Sequence, residues 1–150
     1  MHFLYRLYSG RKIRADVLAM KIPIDKEKPL TLFVRIKGPR GVRELRAVLD
    51  TGSSLCTIPI TDAREIGYPV FYDPIVNRGE GIFTLTQTGV MDLEGLTLEE
   101  ISVAGLSAKD VPAVACHLPR MGGVDMILGL SFLSRFKITL DYEGGWLSME

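Results

Sequence analysis

The run Val48-Leu49-Asp50-Thr51-Gly52-Ser53-Ser54 holds the residues best suited to chemistry. An apolar strand runs into Asp50, and the chain then turns sharply through Gly52. A carboxylate at the end of a buried strand must be desolvated or hydrogen-bonded. A carboxylate held in that way is suited to proton transfer. The bland alternative is a β-turn, where Asp and Gly serve the backbone. An Asp-Thr-Gly triplet arises by chance in roughly one chain in twenty of this length, so the triplet alone decides little. A second feature, Val124-Asp125-Met126-Ile127-Leu128-Gly129-Leu130-Ser131-Phe132-Leu133, puts Gly129 79 residues beyond Asp50. It reads as an apolar strand leading straight into a short helix. Its bland reading is a core strand whose glycine permits close packing.

Other chemistries find less support. Cys56 and Cys116 show no C-x-x-C or Cys/His spacing, so no metal is expected, and both read as small core residues. His2 and His117 pair with no nucleophile. No motif asks for a cofactor. Lys+Arg and Asp+Glu each total 18, giving zero net charge. A protein that neutralises many phosphates needs a basic surplus, so nucleic acid is excluded as a partner. No stretch without charge exceeds eleven residues, the length of 51–61. A membrane-spanning helix needs about 20 apolar residues, so no membrane span is expected. Arg6 interrupts the apolar start of the chain, which argues against a secretory signal and for a cytoplasmic location. Arg11-Lys12-Ile13-Arg14 and Arg40, Arg43 and Arg46 read as solvated faces. The first cluster is alternatively an arm at a dimer interface.

The elements that must position Asp50 are strands. At 150 residues the chain is one domain's worth, 1–150, with residues 1–29 as an N-terminal extension. Residues 30–37 are rich in β-formers, with Leu32, Val34 and Ile36 on one face. A Gly38-Pro39-Arg40-Gly41 turn leads to 42–49, and 55–60 forms a third strand. Segments 82–88 and 90–98 flank Gly89 as the arms of a hairpin. Segments 101–103 and 111–116 are separated by a turn at Gly105. Segments 137–142 and 146–149 flank Glu143-Gly144-Gly145. Ile22, Ile24, Pro23 and Pro29 suggest an extended edge segment. Helical signal is confined to 62–66, with Asp62 as N-cap and Gly67 as terminator, and to 131–136, with Ser131 as cap. The class is all-β with one or two short helices.

Taken together, these parts resemble the retropepsin-like aspartic proteases, in their single-domain bacterial and archaeal form. The resemblance spans about residues 30–149. It rests on Leu49-Asp50-Thr51-Gly52-Ser53 as the catalytic motif and on Thr86-Gln87-Thr88-Gly89-Val90 at the place of the flap tip. Leu98, Ile101, Val103 and Gly105 follow, then Ile127-Leu128-Gly129 as the apolar-apolar-Gly motif, and Thr139-Leu140-Asp141-Tyr142 near the end. The resemblance implies a closed acid-protease barrel and hydrolysis of peptide bonds in extended polypeptides. It implies catalytic roles for Asp50, Thr51 and Gly52. It implies substrate contacts from Ser53, Thr86, Gln87, Thr88, Gly89, Ile127, Leu128 and Gly129. A plain surface hairpin is the bland reading of the flap, and the glycine-rich 77–81 is a competing tip.

This chemistry needs two carboxylates sharing one proton around a water molecule. The chain has one Asp-Thr-Gly and no second Asp-[Thr/Ser]-Gly. One motif in 150 residues therefore implies a homodimer with Asp50 of each subunit on the two-fold axis. Ser53 departs from the alanine usual in retroviral relatives. A Ser53 hydroxyl donating to Asp50 would favour the ionised form and lower the pair's apparent pKa. Met126 departs too, where relatives often carry a small residue, and reads as core. The rival reading is a catalytically weak or inactive dimeric module that grips an extended peptide on the same fold.

Overall fold

Alternation of apolar and polar side chains builds the first long hairpin. The computed structural model describes residues 7–8, 11–12, 20–70, 82–86, 89–118 and 122–150. Two short strands, β1 (Leu7–Tyr8) and β2 (Arg11–Lys12), pair with each other, and β3 (Met20–Pro23) follows. β4 (Thr31–Gly38) and β5 (Gly41–Leu49) then pair antiparallel in register from Thr31 opposite Val48 to Gly38 opposite Gly41. Leu32, Val34, Ile36, Leu45 and Ala47 face inward, while Phe33 and Arg35 face solvent.

β6 (Cys56–Pro59) is buried along its length and leads into α1 (Ile60–Glu65). β7 (Ile82–Thr86) pairs with the start of β8 (Gly89–Val103), and β9 (Leu106–Cys116) returns along β8. β10 (Met126–Leu128) enters α2 (Leu130–Leu133), and β11 (Ile138–Asp141) and β12 (Trp146–Met149) end the chain. Strands β4, β5, β10, β6, β9 and β8 are bonded in that order, and β8 pairs back to β4. This closes a six-stranded barrel and leaves its wall without free edges over the paired lengths. Its interior is filled by Val34, Ile36, Ile58, Leu98, Ile101, Met126, Leu128 and Phe132, all fully buried. Each such side chain contributes roughly 1.5–3 kcal/mol by leaving water. β11, β12 and β3 form a separate antiparallel sheet that adds Leu147 and Met149 to the same core. The extended segment expected around Ile22 is thus the edge strand β3. No helix among the described residues is long and apolar enough to cross a membrane.

Several boundaries move for physical reasons. The segments 90–98 and 101–103 are one strand, because Glu100 stays in the ladder with Lys37 and Lys109 on either side and Glu99 pairs its carboxylate with Lys37. β9 begins at Leu106, directly after a tight turn in which Ala104 and Gly105 take φ of +51 and +80. Such a turn matches the strand twist. Asp62 is not an N-cap: α1 starts at Ile60 after Pro59, and the buried Asp62 carboxylate pairs with Arg43 Nε at 3.1 Å. Gly67 does end α1, at φ +101. Ser131 is not a cap either, since α2 starts at Leu130 and Gly129 holds the cap position. Met126 is in the core, as its type suggested.

Candidate active site

β10 lies between β5 and β6, parallel to the first and antiparallel to the second. Residues 50–55 must therefore cross over the end of β10 to join its two neighbours. Asp50 is the first residue of that crossing, and its N–H donates to the Leu128 carbonyl at 3.1 Å. One step back, Leu49 N–H donates to Leu30 O at 2.9 Å, so the strand end is tied on both sides. The turn then closes on itself. Gly52 N–H donates to Asp50 Oδ1 at 2.8 Å, and Ser53 N–H to Asp50 O at 3.3 Å. Asp50 is half-buried, whereas Thr51 and Gly52 are exposed. The carboxylate thus has one oxygen fixed by a backbone amide at an accessible tip.

The far side of the turn is strapped to the start of α2. Leu130 N–H donates to Ser53 O at 2.8 Å and Ser131 N–H to Ser54 O at 3.0 Å. Ser131 Oγ accepts from Cys56 N–H at 3.0 Å and donates to Cys56 Sγ at 3.4 Å. Gly129 makes this approach possible. A Cβ there would lie 2.3 Å from Leu55 O and 2.8 Å from Ser53 O, both backbone atoms. Burial pushes the Cys56 thiol up from its ordinary value, against the hydrogen bond from Ser131.

The expected site residues sort into distinct settings. Ser53 does not donate to Asp50: its one hydroxyl proton goes to Leu55 O at 2.9 Å, which satisfies a carbonyl of its own turn. The Leu128 side chain is fully buried in the barrel, and what it brings to the site is its carbonyl. Gly129 packs under the turn. Ile127 points the opposite way from Met126 and Leu128, and sits half-buried between Val48 of β5 and Thr57 of β6. Thr86 and Gly89 face each other across the β7–β8 hairpin. Gln87, Thr88 and the competing tip 77–81 lie outside the described residues. Sequence reasoning missed Ser131 as a strap, having given it to the helix end. No cluster of three or more His, Cys, Asp or Glu side chains suited to a metal occurs among the described residues.

Residues 33–132, from within β4 to α2, match the family described as aspartyl protease. The chain belongs to the aspartyl protease family. No curated protein matches the sequence. Among solved structures, this aspartyl protease chain is similar to a retropepsin-like aspartic protease from Rickettsia conorii. The identity is 19% and the TM-score 0.57, over 87% of this chain and 88% of the other. It is also similar to the retroviral protease-like domain of Ddi1 from Leishmania major, at 16% identity and TM-score 0.53, over 82% and 89% of the two chains. At such identities the likeness speaks to fold, and the fold is retropepsin-like.

Proposed function

We propose that the protein is an aspartic endopeptidase whose active site forms across a homodimer. The observation that carries this reading is the Asp50 turn itself: a half-buried carboxylate held by the Gly52 amide at the tip of a strapped loop, one per chain. Two such tips meeting on a two-fold axis supply the pair of carboxylates the reaction requires.

Like charges a few ångströms apart resist joint ionisation, so the pair keeps one proton between them. The ionised partner takes a proton from water as the water attacks the scissile carbonyl. The protonated partner polarises that carbonyl and then carries the proton on to the leaving amine. Thr51 locks the two loops across the axis, and Gly52 leaves room for substrate backbone. The peptide lies extended beneath the two hairpins and adds backbone hydrogen bonds like an extra strand. Val48, Ile127 and Thr57 form the floor beside Asp50.

One assay tests the reading. Wild type and Asp50→Asn are incubated with a diverse peptide library across about pH 3–8, which brackets a free Asp. Cleavage sites are read by mass spectrometry. Cuts that vanish in Asp50→Asn are expected, with the strongest cutting on the acid side. Absence of cuts above the variant's background would leave the peptide-binding module. Sizing at several concentrations tests the dimer separately, and a strict monomer during turnover contradicts the two-carboxylate scheme.

A further inference from the structure

β8 passes through two settings. Between Glu100 and Val103 it is bonded on both sides, to β9 and to β4. Between Gly89 and Leu93 it pairs with β7. In the interval β9 still holds one edge, but β4 has ended, its last partner being Lys37 opposite Glu100.

Tyr68 takes the other edge there. Its hydroxyl donates to Thr97 O at 2.7 Å and accepts from Glu99 N–H at 3.1 Å. On one edge of an antiparallel strand, the C=O of a residue and the N–H two residues on face the same side. In a ladder two separate partner residues would engage these two groups, and here, past the last β4 pair, a single hydroxyl engages both. Burial pushes the Tyr68 phenol up, which keeps it protonated and able to donate. The reach is prepared from separate parts of the chain. Gly67 ends α1 at φ +101, and Tyr68 N–H donates to Ala63 O at 3.0 Å. Gly38, the last residue of β4, leaves the ring its path, since a Cβ there would lie 2.7 Å from Tyr68 Cε2.

We propose that Tyr68 is a positioning residue for the β7–β8 hairpin: it clips β8 to the barrel where β4 runs out, so that the hairpin springs from a fixed base. The inference rests on the reading of that hairpin as the substrate cover. Tyr68→Phe keeps the ring and removes the hydroxyl, and water can serve the exposed Glu99 N–H, so the barrel survives. Amide hydrogen exchange on the full chain should quicken about five-fold or more at residues 89–99. Residues 45–49 and 126–128 should stay at wild-type rates. An unchanged hairpin, or equal quickening throughout the barrel, overturns the assignment. In peptide hydrolysis KM should rise about five-fold with kcat within about two-fold. An unaltered KM, or a loss confined to kcat, overturns it as well. If the wild type cuts no peptide, the protease reading falls by itself, and the exchange result still decides whether Tyr68 holds the hairpin's base.

Discussion

Gly129→Ala probes whether the Asp50 turn is held by close backbone packing. The added Cβ would stand 2.3 Å from Leu55 O, 2.7 Å from Leu55 C and 2.8 Å from Ser53 O, where ordinary contact begins at 3.4 Å. All three atoms belong to the backbone, so no rotamer change relieves the clash. The 53–55 segment must therefore retreat by roughly 1 Å in a close-packed region. That movement stretches the bonds from Leu130 N–H to Ser53 O and from Ser131 N–H to Ser54 O, now 2.8 and 3.0 Å. Overpacking costs about 1–3 kcal/mol, and each weakened bond up to about 1 kcal/mol. Together they cost roughly 1–5 kcal/mol, against the roughly 5–15 kcal/mol that holds a domain folded.

The control is Gly41→Ala. Nothing lies within 4 Å of its Cβ, and its φ is not positive. It should stay within about 1 kcal/mol of wild type. Urea unfolding at fixed protein concentration, followed by the fluorescence of the one tryptophan, Trp146, measures both. A Gly129→Ala midpoint equal to that of Gly41→Ala would refute the argument from packing.

Ser53→Ala should cost about 1 kcal/mol through the lost bond to Leu55 O and leave the acidic limb of the pH–rate profile in place. An upward move of that limb by about half a unit or more would show that the hydroxyl serves Asp50 after all. Burial raises the Cys56 and Cys116 thiols above their ordinary value of 9.0. The folded state then keeps protons that the unfolded state releases. Stability is therefore full below the ordinary value and falls as pH rises through the folded values. Urea midpoints measured from about pH 7 to 11 should be level and then decline, and a rise on the alkaline side would contradict the sign.

Much of the barrel is legible in the sequence because its signals are local. Leu32, Val34 and Ile36 alternate with polar residues, and Ala104-Gly105 sits between apolar runs. Asp50-Thr51-Gly52 closes an apolar strand. What the sequence hides depends on partners far along the chain. Glu99-Glu100 looks like a strand break, since Glu has weak strand preference. Pairing of Glu100 to Lys37 of β4, whose ammonium also meets the Glu99 carboxylate, overrides that preference. The Ser53 hydroxyl has two acceptors within reach of a short turn, Asp50 and Leu55 O, and only the folded loop chooses between them. Asp62 reads as a cap until Arg43, 19 residues earlier, takes its carboxylate. Tyr68 gives no signal at all, because its partners are backbone atoms 29 and 31 residues away.

The two sides of the candidate site are held in different ways, and the difference fits the tasks proposed for them. The Asp50 turn is fixed by backbone bonds from Leu128, Leu130 and Ser131 and by contact with Gly129. No rotamer change frees it. Acid–base chemistry on a shared proton needs that rigidity, since the oxygens must keep their places as charge moves. The edge of β8 beyond β4, by contrast, is held by one side-chain hydroxyl making two bonds. A phenol can release a strand edge by a side-chain movement, without unfolding the barrel. If the hairpin is the proposed cover, it must yield somewhere to admit an extended peptide, and the least costly place is the interval past the last β4 pair, where among the described residues Tyr68 holds the edge.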